Sequence, residues 1–440
     1  MPDSIGSPGQ LTIINYQLSI IDYPMPRKLL SILALVILGV LLFSQMRGLR
    51  DPKVLPPDDF VEYWAAGHLN LEGKNPYDSK LLIPLEEEAG RWEAEDLRLQ
   101  GKEKHAEGEP KKREAVMMWN PPWTLSFVMP YGAIHPFDAK VLWLLQNFLL
   151  VLISADWLWR IYGGPRHLRW LPPLLALSFV PTLLVLGAGQ IGPLILFGIT
   201  LFLALEKGGY PWLAGSAGVL MAIKPHLVYL FWPTLAVWSL FRGWKIVTGG
   251  IIAGILATLI PLIFNPHVLS DFWQELTQRP PWQWESPTLG TVIRMLEAQG
   301  RGIDESQAFA LQFIPGLFGI LWLIWYGWSS RKDPWVWRDR LPLLLLVSFF
   351  TASYGAWPFD LVILLPAVIC VAVHLARDPS PRNLWLGLSA WLLLNVPALI
   401  QNMVYEAYSF WYLWMSPLML ALYVGLMHFS SGGRKSPEMT

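Results

Sequence analysis

An all-α, polytopic integral membrane protein with about twelve transmembrane helices is the fold class this sequence predicts. Three observations predict it. The chain is 53% hydrophobic and only 15% charged over 440 residues, and its mean hydropathy is +0.38, far from a soluble domain. Apolar runs close to the length of a bilayer-crossing helix recur from residue 29 to residue 429. Lys and Arg gather at alternate connections between those runs.

A hydrocarbon core about 30 Å thick takes about 20 residues of helix. On that length, spans are expected near 29–46, 137–162, 171–186, 190–205, 211–224, 226–241, 246–264, 309–328, 341–352, 360–376, 384–400 and 410–429. Those at 211–224 and 341–352 are short, and the second runs into Ser353, Tyr354, Gly355, Ala356, Trp357 and Pro358. Short or broken helices survive at membrane depth only where protein or a water-filled cavity satisfies the freed backbone, so both are expected to line a site.

Charge tests the layout independently. Arg27 and Lys28 precede the first run. Arg160, Arg166 and Arg169, then Lys207, Arg242 with Lys245, the group from Arg331 to Arg340, Arg377 with Arg382, and Arg434 with Lys435 follow at every second connection. The intervening connections 187–189, 353–359 and 401–409 carry no Lys or Arg. The positive-inside rule then places both termini in the cytoplasm. Residues 1–28 form a cytoplasmic N-terminal segment, 29–430 one integrated membrane domain, and 431–440 a cytoplasmic tail. The first run reads as an anchor, since no short apolar region with a small-residue cleavage site precedes it. No short-period repeat marks a solenoid.

Two long external loops result, 47–136 and 265–308, with interfacial helices expected in them. The charged stretch from Glu86 to Glu114 reads as an exposed helix or insertion carrying i,i+4 pairs. The apolar segment from Trp119 to Pro130 is too short to span and suits the membrane interface. The second loop holds Arg279, Pro280, Pro281, Trp282, Gln283 and Trp284, a candidate lid or interfacial anchor.

The external polar residues carry the chemistry. Asp58 and Asp59 follow the first run and precede aromatics. Either suits a general base shielded from water, and either suits the N-cap of a helix starting at Phe60. Lys224, with Pro225 and His226, interrupts two apolar runs, where it can grip a phosphate or merely snorkel. Gln190 and Asp360 lie on the same side, each suited to binding sugar hydroxyls or to capping, and Asp360 also to orienting Lys224. Arg294 is a further external cation.

Several classes lose support. Net charge is zero, so no basic field points to nucleic acid. There is no phosphate-binding loop, no dinucleotide fingerprint and no zinc-protease motif. The single cysteine, Cys370, forms no disulfide framework. No cofactor is expected; Asp58 and Asp59 supply too few ligands to argue for a divalent ion, which stays an open option.

The order of these pieces resembles the GT-C class of membrane glycosyltransferases, and within it family 87, the polyprenol-phosphate-mannose-dependent mannosyltransferases. The matching residues are Asp59, Phe60 and Tyr63 with Ala65 and Ala66; Gly73, Pro76, Tyr77 and Asp78; Asn120, Pro121 and Pro122 with Pro130; Gly189 with Gln190; Gly215 and Gly218 leading to Lys224 and Pro225; and Pro358, Phe359 and Asp360. The resemblance implies transfer of a hexose, mannose before others, from a polyprenyl-phosphate donor to a lipid or glycan acceptor on the extracytoplasmic face. It implies Asp59 as base, with Asp58 as cap or helper. It implies substrate contacts from Tyr63, Asn120, Gln190, Lys224, His226, Arg294 and Asp360, and membrane lipids as partners. The tandem Asp58 departs from a single-Asp pattern, and the 86–114 insertion is long for its loop. A transporter or lipid flippase and a non-catalytic assembly subunit are the alternatives; the polar residues gather at one surface, whereas alternating access needs a site reachable from both.

Overall fold

The computed structural model describes residues 58–91, 114–278, 284–304, 306–404 and 410–429. These belong to one compact unit within Gly48–Thr440. The expected span at 29–46, both terminal segments, residues 92–113 of the charged insertion, and Arg279 to Gln283 with Trp282 lie outside the described residues.

Among the described residues the secondary structure is helical throughout, with no strand. Among the described residues six helices are long and apolar enough to cross a bilayer: Pro136–Ile161, Lys245–Phe264, Phe309–Ser329, Pro358–Ala376, Pro381–Val404 and Phe410–Met427. The other apolar runs do not give single spans of that length, so the structure supports a polytopic protein without supporting twelve full-length crossings. The run at 171–186 divides into Leu171–Ser178 and Val180–Gly187 around an extended Phe179. Pro181 has no N–H to continue the helix, and the Val180 N–H instead donates to Asn395 Oδ1 at 2.9 Å. A neighbouring span thus supplies the partner that hydrocarbon cannot. The runs at 190–205, 211–224, 226–241 and 341–352 become Gly192–Lys207, Pro211–Met221, Phe231–Arg242 and Trp337–Phe350.

The first loop is built differently from its expectation. Phe60–Leu71 is buried on almost every face, and Leu125–Gly132 packs beneath it through Leu125, Val128 and Met129. The two backbones nearly touch, since a Cβ on Gly132 would sit 2.3 Å from the His68 nitrogen. The segment expected at the membrane interface therefore spends its apolar face on protein. Glu86 also differs from a solvated position, being fully buried. It accepts from the Arg91 guanidinium and, at 2.8 Å, from the Val116 N–H, stitching the start of the insertion to its end.

Basic connections meet at one end of the bundle. Arg377 bonds the Tyr162 and Gly163 carbonyls, and Lys207 Nζ reaches the Ile161 carbonyl at 3.2 Å. On Pro136–Ile161, Trp143 and Asn147 instead bond Gly189 and Gln190. The 14 residues from Asn147 to Ile161 put about 21 Å of helix between the two ends.

Candidate active site

Five separated stretches converge at the end away from those arginines, and local structure explains each approach. Gly189 holds φ +66, the left-handed conformation glycine adopts at little cost. It lets Gln190 turn back after Val180–Gly187, and a Cβ there would lie 2.9 Å from Phe60 Cβ. Trp143 Nε1 donates to the Gly189 carbonyl at 2.7 Å and Asn147 Nδ2 to the Gln190 carbonyl at 3.1 Å. The pair sits one helical turn apart, so a single face of one span clamps the turn. The Asp59 N–H donates to the Ala188 carbonyl at 3.1 Å, bringing the start of Phe60–Leu71 against the same turn.

Lys224 is positioned by the end of Pro211–Met221. Orphan carbonyls there need partners. Trp123 Nε1 takes the Ala222 carbonyl at 3.1 Å and Asn120 Nδ2 the Ile223 carbonyl at 3.1 Å. His226 then bonds the Gly355 carbonyl at 3.3 Å and stacks on Tyr354 with ring centroids 5.4 Å apart. This ties the Lys224 turn to the segment that delivers Trp357 and Asp360.

A hydrogen-bonded chain joins the side chains. Gln190 Nε2 donates to Asp59 Oδ2 at 2.6 Å, while Gln190 Oε1 accepts from the Tyr63 hydroxyl at 2.7 Å and from Lys224 Nζ at 3.1 Å. Lys224 Nζ also donates to Asp360 Oδ1 at 2.9 Å, and Asp360 Oδ2 accepts the Trp357 N–H at 3.1 Å. The ammonium lies 5.2 Å from the centre of the Phe359 ring. Asp360 is therefore a cap and an ion-pair partner at once, using one oxygen for each. Tyr63 is fully buried and stacks on Trp143 at 5.3 Å.

The aspartates separate cleanly. Asp59 occupies the N-cap position of Phe60–Leu71 without a side-chain capping bond; its carboxylate faces Gln190 instead. Asp58 holds φ +29, a strained value for a residue with a Cβ, and interacts electrostatically with Lys140. Arg294 turns inward, fully buried, donating to the Trp284 carbonyl at 2.8 Å and to Gln312 Oε1 at 3.3 Å. These bonds organise the second loop. Trp284 packs edge-on against Trp119 at 5.9 Å. Asn120, likewise, spends its amide on the Ile223 carbonyl.

Sequence reasoning missed Glu62, Trp143 and Asn147. Glu62 is buried one turn from Asp59; burial above all, and then the Asp59 charge, hold its carboxyl well above the usual carboxylate range, while Tyr63 and Lys224 oppose this. The i,i+4 spacing of Trp143 and Asn147 was the one available signal. Among the described residues no three His, Cys, Asp or Glu side chains cluster as metal ligands.

Comparison with known proteins adds one result. The profile described as Glycosyltransferase family 87 matches residues 119–351, a stretch that includes Gln190 and Lys224 but stops short of Asp360 and begins after Asp59. No curated protein and no solved structure matches the chain.

Proposed function

Because the chain belongs to glycosyltransferase family 87, we propose that this membrane glycosyltransferase moves a hexose, mannose before others, from a polyprenyl-phosphate donor to a hydroxyl of a lipid or glycan acceptor on the extracytoplasmic face. One observation supports the reading above the rest: a half-exposed carboxylate, Asp59, and a cation, Lys224, lie on the same hydrogen-bonded chain through Gln190.

In this mechanism the acceptor oxygen attacks the anomeric carbon and the bond from that carbon to the phosphate oxygen breaks, with inversion. Asp59 takes the acceptor proton as the new bond forms. The lipid phosphate departs with an added negative charge. Lys224 has three N–H donors, two of them spent on Gln190 and Asp360, and the third serves the departing oxygen. Gln190 has both amide ends engaged by protein, so its role is to aim Asp59 rather than to bind sugar. Arg294 and Asn120 act through the segments they fasten. The arginine-rich connections at the opposite end of Pro136–Ile161, with the positive-inside rule, support an extracytoplasmic site.

The test is transfer from polyprenyl-phosphate mannose and polyprenyl-phosphate glucose by the protein in lipid vesicles. Asp59→Asn is expected to lower kcat by about 10²- to 10⁴-fold with the fold intact, whereas Asp58→Asn keeps most of the activity. Full turnover by Asp59→Asn would remove the base. No turnover by the parent with either donor would remove the donor class.

A further inference from the structure

At the arginine-rich end of the bundle, away from Asp59 and Lys224, a cavity of about 670 Å³ opens between Leu171–Ser178, Leu365–Ala376, Pro381–Val404 and Met415–Phe429. Leu171, Leu175, Val371, Leu375, Gly387 and Leu394 are among its walls. Two of its polar side chains are occupied: Ser178 Oγ donates to the Leu174 carbonyl at 2.7 Å, and Asn383 Nδ2 to the Asp378 carbonyl at 2.8 Å. Such a mostly apolar surface is suited to hydrocarbon.

The rim has the opposite character. Arg169 lies between the lining residues Leu168 and Trp170, and Arg382 between Pro381 and Asn383. Arg166 and Arg377 stand within two residues of others. Asp156 is shared by Arg160 and Arg169, and Arg377 is committed to backbone carbonyls. Arg166 and Arg382 are exposed and form no ion pair among the described residues. Trp170 stands beside them, half-exposed, as an aromatic does at a headgroup boundary.

We propose that this groove is a binding site for one anionic phospholipid, its acyl chains between the four helices and its phosphate at Arg166 and Arg382. Charge complementarity selects this occupant: an apolar slot inside a bilayer fills with acyl chain, and arginines at its mouth favour an anionic headgroup over a zwitterionic one. The site is independent of the sugar-transfer reading, because the donor phosphate of that reaction belongs at Lys224. The lipid would brace the broken Leu171–Ser178 and Val180–Gly187 pair, which leads to Gln190.

Native mass spectrometry of the detergent-released protein tests it, with phosphatidylglycerol and phosphatidylcholine of identical acyl chains as probes. The parent is expected to retain phosphatidylglycerol about tenfold better. The double variant Arg166→Gln, Arg382→Gln is expected to bind the two lipids about equally. Gly387→Leu, whose added atoms meet the flexible end of Leu375, fills the slot and is expected to lose both. Ala372→Leu repeats the filling from the opposite wall, and unchanged thermal unfolding certifies the fold of each variant. Equal retention of both lipids by the parent, or full retention by a folded filling variant, overturns the proposal.

Discussion

Gln190 donates from Nε2 to Asp59 Oδ2 at 2.6 Å, a contact between residues 131 positions apart in sequence. The orientation of the amide is dictated from its other end, where Oε1 faces the Lys224 ammonium, a group that can only donate, and also accepts from the Tyr63 hydroxyl. Tyr63 is held protonated by burial and by the neighbouring Glu62 and Asp59 carboxyls. Reversing the amide would set its NH2 against the Lys224 ammonium and its oxygen against the Asp59 carboxylate.

Gln190 is therefore expected to act through Asp59. Gln190→Leu removes the donor to Asp59 and should lower kcat by about 10- to 100-fold with a smaller effect on donor KM. Gln190→Glu places a second carboxylate beside Asp59, which raises its pKa. The acidic limb of the pH–rate profile should then move to higher pH. A profile unchanged in position would assign Gln190 a purely structural role.

Lys224 and Asp360 form a buried pair at 2.9 Å. Removing one partner strands the other charge, and Asp360→Leu or Lys224→Met alone should destabilise the protein by about 3–5 kcal/mol. The double variant Lys224→Met, Asp360→Leu should recover much of that loss in thermal unfolding. It should not recover sugar transfer, because the phosphate-facing cation is still missing. Recovered transfer would show that the pair serves folding alone.

Glu62 links pH to stability. Its folded pKa is raised by burial and by Asp59 above the ordinary value of 4.5, so above that value the unfolded chain releases a proton that the folded chain keeps. Stability falls with rising pH across this window, at a limiting slope of about 1.4 kcal/mol per pH unit. Glu62→Gln mimics the neutral acid, and its thermal midpoint should depend less on pH and exceed the parent's at pH 8. Identical pH dependence in the two proteins would mean that Glu62 is ionised when folded.

Gly189 is a point of close approach in the site. Gly189→Ala must accept φ +66 and a contact with Phe60 Cβ. The conformation alone costs about 1–2 kcal/mol, and relief of the clash separates Gln190 from Asp59. Transfer should fall further than stability does, which parallel activity and unfolding measurements read directly. Equal, small effects on both would mean that the turn does not set the geometry of Asp59.

The residues that sequence reading singled out were legible for different reasons. Asp59, Gln190, Lys224 and Asp360 interrupt or bound apolar runs, where a polar group has an energetic reason to be noticed. Glu62 was not legible, because an acid in a short amphipathic-looking stretch ordinarily faces water, and only the packing of Phe60–Leu71 against Leu125–Gly132 buries it. Arg294 and Asn120 were visible as polar residues near the right surface, but their directions were not. Spacing places a side chain at a helix end without saying which backbone carbonyl it will meet. Counting spans failed for a related reason: hydropathy registers the apolar run at 171–186 but not that Asn395, more than 200 residues away, satisfies a break within it.

By itself the sequence determined the solvent and the order of parts. An apolar, charge-poor chain with runs near the length of a bilayer-crossing helix satisfies its backbone most simply as helix where it meets lipid, and its arginines fall at alternate connections. Only the tertiary structure decided which of two adjacent aspartates joins the Gln190–Lys224 chain. A left-handed Asp58 turns toward Lys140, and the Ala188 carbonyl draws the Asp59 backbone against the Gly189 turn. Neighbours one position apart in sequence then point to different partners, because the backbone between them, not their composition, sets the direction of each side chain.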